Sequence, residues 1–284
     1  MVIDCHCHAG PGDGFTGPWD TRASLDKYLR RAAAAGIGRT VVFPPFHSDY
    51  RAANRELAAI VRGLRGRLIG FAFVHAVRDA GRIEPLVREA VVEHGFKGIK
   101  VHRHDARISR EVCEVARRFS LPVLYDVMGE TPQVELLAEE FPTVSFVIPH
   151  LGSWSDDWSS QLTLIDTLAR RRNVYADTSG VRRFDLLQEA ARRAGSKLLY
   201  GSDGPWCHPG LELAKVRALT LPPHVRNGVE GATLMRLIAR AGHHAPPARR
   251  LRARSRTTAS LAVRLGPGAT GSLSTSPQGA RRRR

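Results

Sequence analysis

The sequence predicts an α/β protein with the fold of a (β/α)8 TIM barrel, followed by a disordered basic C-terminal tail. Short apolar stretches rich in β-branched residues alternate regularly with helical patterns, as in a parallel sheet covered by helices. Eight such units follow one another between Met1 and about residue 242, a length typical of this barrel. A doubly wound open sheet is disfavoured because no Gly-x-Gly-x-x-Gly follows the first strand.

The individual elements follow from the same patterns. We predict strands at 2–8, 40–44, 68–76, 96–103, 122–127, 145–152, 173–179 and 197–203. Helices are predicted between them at 24–35, 51–62, 83–93, 109–119, 132–140, 158–171 and 184–194, with closing helices at 211–219 and 225–241. Gly36 is the expected stop of the first helix, and Ser109 is the expected N-cap of the fourth.

The charge is unevenly distributed along the 284 residues. The formal net charge is +16, but residues 245–284 hold ten arginines, no lysine and no acidic residue. This segment is too poor in large apolar residues to offset the entropy of ordering, so we predict a barrel domain at 1–244 and a disordered tail at 245–284. Its arginines are not interleaved with aromatic residues, so we expect no specific nucleic-acid partner.

The composition also indicates the cellular compartment. The four cysteines are scattered without a disulfide framework, which suits a reducing cytoplasm. No apolar run has the length of a membrane helix, and the first residues lack the pattern of a signal peptide. We therefore expect a cytoplasmic protein without a membrane partner, acting on a small-molecule substrate, with a homodimer as the oligomeric alternative to a monomer.

Ionisable residues collect where the predicted strands end, which is where TIM barrels place their chemistry. A barrel built for stability alone would avoid such groups because unpaired burial is costly. His6 and His8 share one face of the first strand, because alternate side chains do, and both imidazoles can meet one cation. Cys5 and Cys7 are expected on the opposite face as small apolar residues. The remaining strand ends carry Lys100, His102, Asp126, His150, Asp177 and Asp203.

Four motifs in this order resemble the amidohydrolase-related family. They are Ile3-Asp4-x-His6-x-His8, Phe-Lys-Gly-Ile-Lys-Val-His at 96–102, Ile-Pro-His-Leu-Gly at 148–152 and Tyr-Gly-Ser-Asp-Gly-Pro-Trp at 200–206. That family belongs to a superfamily of metal-dependent barrels and includes decarboxylases of the aminocarboxymuconate-semialdehyde type. The resemblance covers roughly residues 2–240.

The resemblance implies a set of metal ligands. His6, His8 and Asp203 match the two histidines of the first strand and the aspartate of the eighth, and His150 is implied as a further ligand or a neighbour of the attacking water. Asp126 stands where the family has a histidine, so it is expected either to bind the metal or to orient a histidine. We expect one divalent ion, zinc, with manganese as the alternative suited to an added carboxylate; a second metal, bridged by a carbamate of Lys100, is the less expected arrangement.

The resemblance also implies roles in the reaction. Asp203 is expected to be the general base, and His150 is expected to orient the attacking hydroxide or stabilise developing charge. The expected substrate-binding residues are Lys100, His102, Arg103, Trp154 and Trp206. For the two tryptophans, ordinary loop packing is the alternative interpretation.

Three functions fit these residues. The first is hydrolysis of a C–O or C–N bond in a small, anionic lactone, ester or amide by a metal-activated water. The second is non-oxidative decarboxylation of a small carboxylic acid at the same metal site. The third is a degenerate barrel that binds a ligand without turnover, which the presence of Asp126 suggests.

Overall fold

Eight parallel strands form a closed barrel in the computed structural model, which describes residues 1–14, 22–154 and 157–242. The strands are β1 (Val2–His8), β2 (Ile37–Phe43), β3 (Leu68–Gly70 and Ala72–Phe73), β4 (Ile99–His102), β5 (Val123–Asp126), β6 (Phe146–Ile148), β7 (Val174–Asp177) and β8 (Leu198–Leu199). The two halves of β3 pair with different neighbours, the first with β2 and the second with β4. The amide of Cys5 donates to the carbonyl of Tyr200 at 3.0 Å, which joins β1 to β8 and closes the barrel. The predicted fold class is confirmed.

A helix follows each strand. The helices are α1 (Leu25–Ala34), α2 (Tyr50–Gly63), α3 (Ile83–Val92), α4 (Arg110–Arg118), α5 (Pro132–Glu140), α6 (Trp158–Arg170), α7 (Phe184–Ala194), α8 (Pro209–Ala218), α9 (Pro223–Asn227) and α10 (Thr233–Ile238). The Ser109 side chain accepts from the amide of Val112 and caps α4, as predicted. Gly36 follows α1 with a φ of 77°, a conformation that glycine adopts readily at a helix end.

Two apolar clusters make the core. One fills the barrel with side chains from most strands, including Ile3, Phe43, Phe73 and Leu124. α10 adds Leu234 and Ile238 to this interior cluster, and the neighbouring Gly231 packs against Ile3. The larger cluster lies between the strands and the surrounding helices. The interior of the barrel is therefore filled with apolar side chains, and α10 and the preceding turn pack on it beside the start of β1.

The prediction of one closing helix at 225–241 was wrong. The segment is α9, a single π-turn at Gly228–Ala232 and α10, because Gly231 has a φ of 149° that no regular helix permits. The predicted strands at 145–152 and 197–203 were too long. His150, Leu151 and Asp203 have φ values of 57°, 51° and 56°, which end the extended backbone before these residues.

The prediction that Cys5 and Cys7 share a face was also wrong. The pairing of β1 with β2 shifts register between Asp4 and Cys7, which is the signature of a β-bulge. Cys5 consequently belongs to the interior cluster and Cys7 to the outer one. His6 and His8 both lie after the start of the bulge and share one face, so the inference about the imidazoles is unaffected.

No helix among the described residues is long and apolar enough to cross a membrane. The predicted tail at 245–284 lies outside the described residues, so its disorder stays a prediction.

Candidate active site

Three side chains at the carboxyl ends of β1 and β8 converge on one point. Asp203 Oδ1 lies 3.2 Å from His6 Nε2 and 3.6 Å from His8 Nε2. One donor atom from each residue lies within 4.8 Å of the others, and all three residues are buried or nearly so. Two imidazole nitrogens and a carboxylate oxygen are the donor types that zinc and related divalent ions take in hydrolytic sites.

The far nitrogen of each imidazole is held by an acceptor. His6 Nδ1 donates to Asp177 Oδ2 at 2.8 Å, and His8 Nδ1 donates to the backbone carbonyl of Pro44 at 3.1 Å. A carbonyl accepts and cannot donate, so the Nδ1 of His8 carries the hydrogen and its Nε2 lone pair faces Asp203. Metal-binding histidines are oriented in this way by a carboxylate or carbonyl behind them. The residues therefore fit a divalent cation.

The charges of the triad suit the same role. Burial lowers the pKa of His8 to about 4, so its imidazole is neutral near pH 7. Burial opposes ionisation of Asp203, but the hydrogen bond and charge of His6 overcome it and hold the pKa of Asp203 well below its ordinary value. The site thus offers a neutral imidazole and an ionised carboxylate without further rearrangement.

The buried carboxylate of Asp4 lies behind the triad and holds the backbone of β1 and of the turn after β8. Asp4 accepts from the amides of His6 and Ser202 at 3.0 and 2.9 Å, and from the hydroxyl of Tyr28 at 2.7 Å. Ser202 precedes Asp203, whose φ of 56° is strained for a residue with a side chain. Asp4 therefore ties β1 to the turn after β8 and holds that turn in place. Burial raises the pKa of Asp4 to about 6.

A second cluster of three ionisable side chains, at the ends of β4, β5 and β6, faces the triad. Asp126 Oδ2 lies 3.1 Å from His102 Nε2 and 3.4 Å from His150 Nε2, and Asp126 Oδ1 accepts from the amide of Met128 at 2.9 Å. His102 Nδ1 accepts from the amide of His104, so its Nε2 carries the hydrogen and donates to Asp126. Asp126 is thus bound between two imidazoles.

His150 carries a positive charge. Its Nδ1 faces the carbonyl of Ser179 at 2.9 Å and its Nε2 faces Asp126, so both ring nitrogens have acceptors. Burial lowers its pKa, but the hydrogen bond and charge of Asp126 outweigh burial and raise the pKa of His150 to about 9. An imidazolium at this point can stabilise an oxyanion or donate a proton.

A cavity of about 460 Å³ opens beside these groups. Its lining includes His6, His8, Lys100, His102, Asp126, His150, Asp203 and the apolar side chains of Phe46, Met128, Trp154 and Trp206. The ring of Trp206 lies 4.5 Å from His8 and that of Trp154 lies 4.8 Å from His150, measured between centroids. The pocket is therefore polar at the barrel floor and aromatic at its walls.

The sequence-predicted residues divide into two groups. The structure brings Lys100, His102, Trp154 and Trp206 to the cavity with the triad and Asp126. Arg103 is instead paired with Glu130 at 2.8 Å and does not belong to the described cavity lining. Lys100 is fully buried. Burial lowers its pKa, whereas the negative charges of Asp126, Asp203 and Asp177 act in the opposite direction and raise it.

Sequence reasoning assigned no role to Asp177, Phe46 or Met128. For Asp177, the position at the end of β7 was a signal that the sequence offered. Phe46 and Met128 lie in loops, where no periodicity indicates which way a side chain points.

A model of the amidohydrolase family matches residues 3–233. The chain belongs to the amidohydrolase family. A search of curated proteins found no match to its sequence.

Solved structures with a similar fold include enzymes of two reaction types. The chain is 13% identical to 5-carboxyvanillate decarboxylase from Sphingomonas paucimobilis, with a TM-score of 0.66 over 85% of this chain and 99% of that one. A dihydroxybenzoic acid decarboxylase from Polaromonas, solved with bound manganese and 2-nitroresorcinol, is 16% identical, with a TM-score of 0.63 over 84% and 96%. A probable 2-pyrone-4,6-dicarboxylic acid hydrolase from Acinetobacter baumannii is 14% identical, with a TM-score of 0.65 over 84% and 99%. At these identities the likeness establishes the fold.

Proposed function

We propose that the chain is a metal-dependent hydrolase that cleaves a C–O or C–N bond in a small, anionic lactone, ester or amide. The observation that carries this proposal is the convergence of His6, His8 and Asp203, with the imidazoles oriented from behind by Asp177 and Pro44. A divalent cation held by this triad supplies Lewis-acid polarisation and lowers the pKa of water toward neutrality.

The chain's own residues supply the proton transfers. Asp203 is ionised at neutral pH and has a second carboxylate oxygen beyond the one that faces the two imidazoles, so it can accept a proton from the attacking water. His150, held as an imidazolium between Asp126 and the Ser179 carbonyl, can stabilise negative charge on the substrate oxygen or donate a proton to the leaving group.

Aromatic side chains partly shield the ionisable groups from water. Trp154 and Trp206 pack against His150 and His8 respectively and so cover the ionisable groups from two sides. In such a setting each charge interacts more strongly than it would in bulk water.

Decarboxylation is the second candidate, and the state of His150 favours it. Loss of carbon dioxide leaves a carbanion that must receive a proton, and His150 holds one where the cavity can reach it. Two decarboxylases among the similar folds are consistent with this alternative.

The two reactions are separated by their products. Protein loaded with zinc or with manganese is offered a panel of lactones, esters, amides and carboxylates, while proton release and carbon dioxide are recorded in parallel. We expect turnover of a lactone, ester or amide without carbon dioxide. Carbon dioxide from a carboxylate would instead assign the decarboxylase. Absence of turnover together with substoichiometric metal would favour a degenerate, ligand-binding barrel.

A further inference from the structure

The peptide group between Ser179 and Gly180 is hydrogen-bonded at both ends. Its carbonyl, on Ser179, accepts from His150 Nδ1 at 2.9 Å. Its N–H, on Gly180, donates to Glu212 Oε2 at 2.9 Å. Both bonds belong to one rigid plane, so neither can be reoriented without the other. Glu212, on α8, is therefore connected to His150 through a single peptide group, although it does not belong to the described cavity lining.

The carboxylate of Glu212 is itself held in place. Its side chain is only 12% exposed, and its Oε2 pairs with Lys215 Nζ at 2.7 Å. The same ammonium donates to the carbonyl of Val181 at 2.8 Å. α8 therefore binds the loop after β7 at two consecutive residues, Gly180 and Val181. A hydrogen bond to an ionised acceptor in such a setting is stronger than one between neutral groups.

Only one side of Ser179 is fixed by the strand that precedes it. Asp177 Oδ1 accepts from the amide and from the hydroxyl of Ser179, at 3.0 and 2.5 Å. That hydroxyl oxygen lies 3.0 Å from His150 Nδ1, so Ser179 offers this nitrogen two oxygens. The carbonyl belongs to the next peptide group, which Asp177 does not hold. Its orientation depends on the bond to Glu212.

Gly180 gives this peptide group an alternative orientation. Its φ is 64°, in a region that glycine enters and leaves at little cost, so the preceding peptide plane can rotate while the rest of the loop stays in place. Half a turn would point the carbonyl oxygen at the Glu212 carboxylate and the N–H at His150 Nδ1. Two acceptors would then oppose each other at one end, and two donors at the other. The carboxylate thus favours the observed orientation.

We infer that Glu212 is a positioning residue, which accepts the Gly180 amide and so holds the Ser179 carbonyl toward His150. It acts only through the peptide group and does not touch the reacting atoms. The inference rests on the proposed function for its effect on turnover, but the two hydrogen bonds can be measured without a substrate.

The sequence allows this peptide group to be observed by itself. Ser179-Gly180 is the only Ser-Gly pair in the chain, so protein made with serine labelled at the carbonyl carbon and glycine labelled at nitrogen gives a single NMR correlation. The amide dimension reports the bond to Glu212, and the carbonyl dimension reports the bond from His150. In wild type we expect an amide protected from solvent exchange and a carbonyl shift that changes in His150→Phe. An unprotected amide, or a carbonyl shift that His150→Phe leaves unchanged, would overturn the inference without any Glu212 variant.

Two substitutions test the carboxylate. Glu212→Met has a similar length but no acceptor, so amide exchange should become at least about tenfold faster and the carbonyl shift should move as it does in His150→Phe. Glu212→Gln keeps an oxygen that can accept and should rescue both dimensions. Glu230→Met, which removes a partly buried carboxylate that pairs with Arg217 of α8, is the matched control and should resemble wild type. A carbonyl shift that stays at its wild-type value in Glu212→Met would contradict the positioning role.

Turnover gives a second readout on any substrate that the panel yields. Glu212→Met should lower kcat by about tenfold and change KM by less than about twofold, because His150 acts on charge that develops during the reaction. Glu212→Gln should keep kcat within about twofold of wild type. A raised KM with unchanged kcat in Glu212→Met would overturn the inference. If no substrate is turned over, the proposed function fails, whereas the two NMR dimensions still decide the role of Glu212.

Discussion

Asp203 is the residue on which the proposed chemistry depends most. Its left-handed backbone conformation turns the carboxylate toward His6 and His8, and Asp4 holds the preceding Ser202 from the other side. A strained residue supported by a buried hydrogen-bond network is typical of functional sites.

Asp203→Asn keeps an oxygen that can reach a cation but removes the base. We expect turnover to fall by about 10²- to 10⁴-fold, the usual contribution of a general base, while metal content falls only partly because His6 and His8 remain. Steady-state kinetics and elemental analysis on the same sample measure both. Asp185→Asn, an exposed carboxylate paired with Arg183 on α7, is the control and should match wild type. Near-wild-type turnover in a fully metallated Asp203→Asn protein would rule out Asp203 as the base.

Gly180→Ala tests the aromatic wall. Gly180 has a φ of 64°, and an added Cβ would lie 2.1 Å from the ring of Trp154, so the ring must move. Gly81→Ala is the matched control, since Gly81 has a φ of 76° and nothing within 4 Å of an added Cβ. Both variants should lose about 1–2 kcal/mol from left-handed strain. Only Gly180→Ala should also change tryptophan fluorescence and weaken ligand binding; equal behaviour of the two would separate Trp154 from the cavity.

Individual residues show which features of the site could be predicted from the sequence and which could not. His6, His8 and Asp203 could be placed together because strand periodicity and the strand-end rule act on backbone geometry alone. The partners of Asp126 and Arg103 could not be predicted, because they depend on which side chains of neighbouring strands and loops come together: His102 ends β4, and Glu130 lies in the loop after β5. Cys5 was misplaced because a bulge is a local departure from the period on which the prediction relied.

Among the elements, the loops after β4 and β5 are joined by ion pairs. Glu130, in the loop after β5, accepts a hydrogen bond from Arg107 and pairs with Arg103. Both arginines lie in the loop after β4. Hydrogen bonds from Arg107 and Arg103 lower the pKa of Glu130 to about 2. These ion pairs are partly exposed, so their contribution to the free energy of unfolding is modest.

Glu130→Gln should therefore lower the free energy of unfolding by no more than about 1 kcal/mol at pH 7. Because the folded-state pKa is depressed, this contribution is present above the ordinary pKa of 4.5 and is lost as pH falls toward about 2. Chemical unfolding at a series of pH values measures it. Glu114→Gln, which removes a pair made within α4 alone, is the control. A difference between Glu130→Gln and wild type that grows on acidification would contradict the assignment.

Element boundaries were predicted best where residue chemistry acts locally. Ser109 caps the start of α4 and Gly36 follows the end of α1, as expected, because capping depends on a few adjacent backbone groups. The prediction for the closing segment was wrong because its apolar pattern continues across Gly231, whose φ of 149° breaks the helix where the chain packs against Ile3.

For the whole molecule, the barrel is the part that the sequence predicted most completely. Eight apolar strands covered by helices leave few other arrangements, and the closure of β1 on β8 follows once all eight are present. The order of the elements is thus recoverable from sequence, whereas substrate choice lies in loops that the fold does not dictate.

The tail should be dispensable for folding. Truncation after His244 keeps Gly242, whose amide donates to the carbonyl of Phe119, and removes a segment too poor in apolar residues to dock. We expect an unchanged melting temperature and unchanged metal content. Truncation after Ala232 is the contrast, because it removes Leu234 and Ile238 from the interior cluster and should destabilise the barrel. A large fall in melting temperature from the first truncation would show that the tail packs on the barrel.

The proposed chemistry requires that His6, His8 and Asp203 form a metal centre. The most direct measurement is the metal content of purified protein after equilibration with zinc and removal of free ion, for wild type and for His6→Ala combined with His8→Ala. His224→Ala, an exposed histidine on α9, is the control for incidental binding. We predict about one ion per chain in wild type and in His224→Ala, and essentially none in the double variant. Unchanged metal in the double variant, or none in wild type, would contradict the account.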